Sequence, residues 1–221
     1  MTSRLVIFDV DGTLVDSQTD IIDSMTAAFA GQGMTVPSHE AIKGIVGLSL
    51  PVAVTHLAPR VSEARRDALV AAYKSTYQAL RLQNGAKGSP LFPGARAALE
   101  RLAANPAVTL AIATGKSRRG LEALMTSHDL AGFFASTQVA DDHPSKPHPS
   151  MIHACLRETG IAAENAVIVG DTEFDIEMGH AAGIRAIGVT WGYHPLARLR
   201  RADLRIDAFD QLEAALGGLW A

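Results

Sequence analysis

Leu5-Val6-Ile7-Phe8-Asp9-Val10-Asp11-Gly12-Thr13-Leu14 joins a short, continuous apolar run to two aspartates separated by one residue. An unbroken run of this kind is expected of a strand covered on both faces, as in a parallel sheet. Two carboxylates then leave the end of that strand together, where each loses solvation and repels the other. Such an arrangement makes sense if a cation sits between them, or if one carboxylate attacks while the other carries a proton.

Working outward, similar runs recur at Val108 to Ala113, Ala166 to Val169 and Arg185 to Val189. Helical patterns at Ala95 to Ala104, Arg118 to His128, Pro149 to Thr159 and Phe174 to Ala182 lie between and around them. This βαβ rhythm predicts an α/β fold with a doubly wound parallel sheet. Between Asp16 and about Ser89 no convincing strand interrupts the helical patterns. Asp16 and Ser17 are candidate caps for a helix bearing Ile21, Ile22, Met25, Ala28 and Phe29, and a longer helix is expected from Ser62 towards Gln83. Residues 16–89 are therefore expected to form a small α-helical domain, inserted into a core made of residues 1–15 and 90–221.

The chain has 221 residues, with 48% hydrophobic and 19% charged, the balance of an ordinary globular protein. A net charge of −3 gives no basic field for DNA or RNA, so nucleic acid is not an expected partner. No apolar run approaches membrane-spanning length, and the stretch between Arg4 and Asp9 is too short for a signal peptide. The lone cysteine, Cys155, is expected in the core of a helix and fits a reducing compartment. A soluble, cytoplasmic protein is expected.

In a doubly wound sheet, ligands bind beyond the carboxyl ends of the strands, near the switch in strand order. Polar residues at those ends are Asp9 and Asp11, Thr114-Gly115-Lys116, and Asp171 with Asp175; Lys146 stands between two helical patterns. Asp9, Asp171 and Asp175 are hard oxygen donors suited to Mg²⁺, which usually takes substrate phosphate as a further ligand. Thr114, the backbone at Gly115 and the charge of Lys146 suit phosphate oxygens, and Ser117 can cap a helix pointing its positive end at the same place. The set fits phosphoryl transfer, with Asp9 as nucleophile and Asp11 as acid and base.

Asp9-Val10-Asp11-Gly12-Thr13-Leu14, Ala113-Thr114-Gly115, Ser145-Lys146-Pro147 and Gly170-Asp171-Thr172-Glu173-Phe174-Asp175 resemble, in order, the four motifs of the haloacid dehalogenase superfamily. The resemblance implies a Rossmann-like core, an α-helical cap after the first motif, and Mg²⁺-dependent hydrolysis of a phosphate monoester. It also implies metal ligation by the Asp9 side chain, the Asp11 backbone carbonyl and Asp171, with Asp175 supporting, and phosphate binding by Thr114 and Lys146. Leu14-Val15-Asp16-Ser17, Leu91-Phe92-Pro93-Gly94 and Trp191-Gly192-Tyr193-His194 are similar to phosphoglycolate phosphatases and their relatives. Gly44 to Ser49 looks like the cap loop that closes over the site, which makes Gly47 and neighbouring Lys43 candidate substrate contacts. The expected partner is a small phosphorylated metabolite; monomer and homodimer both fit.

A phosphomutase of the same superfamily is the main alternative. The mutases that this chain resembles carry a histidine where Ile21 stands, which argues against it. Dehalogenases and phosphonate hydrolases lack an aspartate at the position of Asp11. A non-catalytic phosphate-binding module is expected to have lost a nucleophile or a metal ligand, and none is missing here. Gly115-Lys116-Ser117 is not a P-loop, because the required upstream glycine falls at Leu110.

Overall fold

The computed structural model describes residues 2–220. Strands β1 (Arg4–Phe8), β2 (Val108–Thr114), β3 (Ser136–Val139), β4 (Ala166–Gly170), β5 (Arg185–Val189) and β6 (Leu204–Ile206) form one six-stranded sheet in the order β3-β2-β1-β4-β5-β6. Every pairing is parallel. The chain leaves β1 for β2 on one side and later returns to β4 on the other, so the switch point lies between β1 and β4.

Residue alternation along β1 explains why the sheet is covered twice. Val6 and Phe8 face a cluster that includes Leu99 and Leu102 of α5 (Ala95–Ala103), Leu121 and Leu124 of α6 (Arg118–Ser127), and Leu212 and Leu216 of α9 (Leu212–Leu219). Leu5 and Ile7 face the opposite cluster, with Met151 and Ile152 of α7 (Ser150–Thr159) and Ile176 and Met178 of α8 (Glu173–Ala181). Each fully buried Leu, Ile or Phe contributes roughly 1.5–3 kcal/mol, so this strand ranks among the main contributors to stability.

Residues between Asp16 and Ser89 form α1 (Gln18–Gly31), α2 (His39–Lys43), α3 (Leu50–Leu57) and α4 (Glu63–Asn84). These helices have their own apolar cluster, centred on Ile21, Ile22, Met25 and Phe29 of α1 with Ile42, Val54 and Leu69. The two chain crossings that join them to the sheet run side by side. The Asp16 amide donates to the Pro90 carbonyl at 2.8 Å, and the Phe92 amide to the Leu14 carbonyl at 2.9 Å. Among the described residues, no helix is long and apolar enough to cross a membrane.

The helices expected from sequence at α5, α6, α7 and α8 form within a residue of the expected ends. Strands β3 and β6, and helix α9, escaped the sequence reading. β3 (Ser-Thr-Gln-Val) and β6 (Leu-Arg-Ile) lie at the two sheet edges, where one side of a strand is unpaired and a continuous apolar run is not required. Ser17 sits at the N-cap of α1 as expected, but its side chain makes no capping bond. Its hydroxyl is used elsewhere.

Candidate active site

The β1 and β4 ends meet because these strands are neighbours in register, Phe8 beside Val169. The Asp9 amide donates to the Val169 carbonyl at 3.0 Å, which fixes the backbone from which the Asp9 carboxylate projects. Asp9, Asp171 and Asp175 are buried, and one carboxylate oxygen from each lies within 4.8 Å of the others.

The three carboxylates are not equally committed. Asp175 caps α8 reciprocally with Thr172: its Oδ2 accepts from the Thr172 amide at 3.1 Å and hydroxyl at 2.7 Å, and its Oδ1 accepts from Lys146 Nζ at 2.7 Å. Asp171 accepts from the Thr13 hydroxyl at 3.0 Å and the Tyr193 amide at 2.8 Å. Asp9 has only the ammonium of Lys146, 2.8 Å from its Oδ1 as an ion pair. Its Oδ2 is buried without a partner.

Burial raises the proton affinity of Asp9 above the usual carboxylate range; Lys146 opposes this and Asp175 adds to it. Asp171 is raised well above that range, by burial first and then by Asp175 and Asp9. For Lys146 burial acts the other way, but Asp175 and Asp9 outweigh it and hold the ammonium above the ordinary lysine range. One buried cation thus faces three buried acids. An additional divalent cation relieves that imbalance, and hard carboxylate oxygens suit Mg²⁺. The donor set fits such an ion: Asp9 and Asp171 would hold it, with Asp175 behind.

Close backbone approach shapes the same spot. Gly12 adopts φ +90°, and a Cβ there would strike the carboxyl group of Asp171. Gly115, after Thr114 at the end of β2, faces the carbonyls of Gly47 and Leu48, and a side chain would force that loop away. The loop from Gly44 to Ser49 is tied to the core at two further points. The Ser49 amide donates to Ser145 Oγ at 2.9 Å, and the Gly44 carbonyl lies 3.2 Å from His194 Nε2.

Asp11 stands apart from the acid cluster. Its Oδ1 accepts from Ser17 Oγ at 2.6 Å, and Lys116 Nζ donates to Oδ1 at 2.8 Å and Oδ2 at 2.9 Å. Lys116 also donates to Tyr77 Oη of α4 at 3.1 Å, so Asp11 is linked through one ammonium to the inserted helices. Burial alone would weaken Lys116 as a base; Asp11 and Tyr77 outweigh it and keep the ammonium charged. In the sequence Lys116 stands out only as the last residue of Thr114-Gly115-Lys116 and within the rejected Gly115-Lys116-Ser117 pattern. Its position two residues beyond Thr114 at the strand end was the available signal.

Asp9, Asp11, Thr114, Gly115 and Gly47 line one cavity of about 450 Å³ between the carboxyl ends of the strands and the inserted helices. Lys146 is packed beneath it, against Asp9. Lys43, at the end of α2, and Arg118 do not line it; Arg118 turns to Thr137 and Asp142. His143 bonds Gln138 and Ser150, outside any metal cluster among the described residues. Cys155 is buried in α7 as expected.

His194 sets a pH limit on this closed arrangement. Its Nδ1 accepts from the Glu173 amide at 3.2 Å, which requires a neutral ring with the proton on Nε2, towards Gly44. Burial first, then Arg198, lowers its pKa from the usual 6.5 to about 4. Because the folded value lies below the unfolded one, its contribution is full above about pH 6.5 and is lost as pH falls towards 4. Wild-type melting temperature should therefore drop more between pH 6.5 and 5 than that of His194→Asn. Parallel melting curves for the two proteins would remove His194 from this role.

The family model described as haloacid dehalogenase-like hydrolase matches residues 6–189. The chain is 36% identical over 220 residues to "Probable phosphatase IndB" of Dickeya dadantii, covering 97% of this chain and 94% of the relative. It is 32% identical over 192 residues to the phosphoglycolate phosphatase of Yersinia pseudotuberculosis, covering 86% and 82% of the two chains. A haloacid dehalogenase-like hydrolase of Streptococcus pneumoniae superposes with TM-score 0.83 at 28% identity, over 96% of this chain and 98% of that one.

Proposed function

The chain belongs to the haloacid dehalogenase-like hydrolases, and on that footing we propose that it hydrolyses a small-molecule phosphate monoester through a covalent phosphoryl group on Asp9. Asp9 carries the reading: a buried carboxylate at a cavity floor, with Oδ2 unpartnered and a fixed ammonium 2.8 Å from Oδ1. Two relatives named as phosphatases support the reaction class. Residues 1–15 and 90–221 serve as the catalytic core in this scheme, and residues 16–89 as the cap.

Asp9 attacks phosphorus, the ester P–O bond breaks, and the leaving alcohol takes a proton from Asp11. Asp11 then removes a proton from water, which attacks the same phosphorus and releases inorganic phosphate with a free Asp9 carboxylate. Thr114, the backbone at Gly115 and Lys146 bind phosphoryl oxygens, and Lys116 with Ser17 positions Asp11 between its two tasks. Asp9, the Asp11 carbonyl and Asp171 would hold Mg²⁺, with Asp175 supporting, and the ion would supply charge neutralisation at the phosphoryl group. Gly47, from the cap loop, closes the site; Lys43 lies outside the cavity and is left out of the scheme. Ile21 presents an apolar side chain to the cavity, so a histidine-dependent mutase step has no proton carrier there.

Purified protein should release phosphate from an alkyl or aryl phosphate only with a divalent cation present. EDTA should silence it, and Mg²⁺ in excess over the chelator should restore it. A chelator-resistant rate would exclude the metal role given to Asp171.

A further inference from the structure

Three cations in the cavity have no part in the reaction scheme. Lys74 and Arg81 of α4 and Arg119 of α6 line it together with Asp9 and Asp11, and among the described residues none of the three side chains has a hydrogen-bond or ion-pair partner. Arg81 is half-buried, so its guanidinium gives up part of its hydration with no acid in exchange. Arg119 stands in the first turn of α6, the end of a helix whose dipole disfavours positive charge. Arg81 gains from the dipole in the last turn of α4, but Lys74, in the middle of that helix, does not. In a chain of net charge −3, unpaired positive charge is thus gathered in the cavity that opens on Asp9.

The scissile phosphate does not call on them, since Thr114, the backbone at Gly115 and Lys146 serve its oxygens in that scheme. Lys116, the cation beside Asp11, is already committed. It donates to both Asp11 oxygens and to Tyr77 Oη, which uses the three donors of an ammonium. Tyr77 is the point at which α4 joins this network. Lys74 precedes it by three residues and Arg81 follows it by four, roughly 4.5 and 6 Å along the helix axis. Residues so spaced share one face of a helix, and Gln78 adds an amide to the same cavity wall. Free positive charge therefore begins about one helical turn away from the point where α4 meets the Asp11 network.

We propose that the leaving alcohol carries a second anionic group, a carboxylate or a phosphate, set several carbons from the ester oxygen and received by Arg81, with Lys74 and Arg119 flanking it. The inference rests on the phosphatase reading and adds the class of substrate. The planar fork of a guanidinium matches either anion with two parallel hydrogen bonds. Arrival of that anion gives Arg81 the partner it lacks and offsets the cost of a cation at the start of α6. A two-carbon acid holds its carboxylate beside the engaged Lys116 instead.

Butane-1,4-diol monophosphate, 4-phosphooxybutyrate and butane-1,4-diol bisphosphate test this with the full-length protein and Mg²⁺, beside 2-phosphoglycolate and an aryl phosphate. The butane compounds share a four-carbon chain that ends in a hydroxyl, a carboxylate or a phosphate. The kcat/KM of at least one charged butane compound, counted per scissile ester, should exceed that of the monophosphate by at least about tenfold, the lower end of what a hydrogen bond to a charged group contributes. Which of the two leads identifies the anion. In Arg81→Gln that ratio should fall at least about tenfold, and Arg81→Lys should restore part of it. A ratio between substrates is not moved by a general loss of folded enzyme, and the wild-type comparison stands whether or not the variants fold. Equal kcat/KM on all three butane compounds, or a higher value for 2-phosphoglycolate than for either charged one, would overturn the inference and leave the phosphatase reading intact. An unchanged ratio in folded Arg81→Gln would overturn the assignment to Arg81. Phosphate released from the aryl phosphate alone would remove only the inference; release from none of the compounds would remove the phosphatase reading with it.

Discussion

Asp9→Asn is expected to lower phosphate release by at least about four orders of magnitude, because removing a covalent nucleophile eliminates the first bond-forming step rather than slowing it. Single-turnover phosphate release on wild type and variant, at equal enzyme and Mg²⁺, is the direct measurement. Retained turnover would exclude Asp9 as the phosphoryl acceptor. The same variant makes a second, opposite forecast for stability. Asp9 contributes a negative charge to a buried group of three, and its one close partner is the Lys146 ammonium. Replacing it by a neutral amide relieves repulsion with Asp171 and Asp175, while Lys146 keeps its 2.7 Å bond to Asp175. In metal-free buffer the variant should therefore melt no lower than wild type. A dead enzyme with an intact melting transition separates catalytic loss from misfolding.

Lys146→Met should carry the largest stability effect. The side chain is fully buried and ion-paired with Asp9 and Asp175, so its removal leaves buried carboxylates with no opposing charge. Breaking one side of a buried ionic cluster costs about 3–5 kcal/mol, far more than an exposed pair. Urea denaturation in EDTA should show a loss of that order. Added Mg²⁺ should recover part of it, since a bound dication supplies the missing charge, and should stabilise the variant more than wild type. Turnover should fall by about 10²- to 10³-fold, the usual effect of deleting one charge-stabilising donor. A variant as stable as wild type without metal would show that Lys146 does not balance the acids.

Legibility in the sequence followed burial. β1, β2, β4 and β5 occupy the middle of the sheet, where both faces are covered and the apolar runs are continuous, so all four could be read from composition alone. β3 and β6 are edge strands with Ser, Thr, Gln and Arg among their residues, and nothing local distinguishes them from loop. Asp9, Asp11 and Asp171 stood out because carboxylates at the ends of apolar strands are costly. Lys116 and Tyr77 did not, because their meeting depends on how α4 packs over the sheet, a long-range property with no period of its own. Ser17 shows the same limit from the other side: its type and position fit a helix cap, yet its hydroxyl is bonded to Asp11. Lys43 is a substrate candidate by its adjacency to Gly47 in the sequence; in the fold the glycine lines the cavity and the lysine, at the end of α2, does not.

The paired crossings at Leu14 to Asp16 and Pro90 to Phe92 also bear on how this architecture can change over evolutionary time. Entry and exit of the intervening helices are hydrogen-bonded neighbours, so any replacement segment whose own ends meet can be spliced there with little change in loop-closure entropy. Asp9, Asp171 and Asp175 lie on the other side of that junction and keep their own partners, whereas Asp11 shares Ser17 and, through Lys116, Tyr77 with the intervening segment. On the proposed function, exchanging that segment as a unit would alter substrate preference while sparing the Asp9, Asp171 and Asp175 cluster, provided the new segment again supplied partners for Asp11.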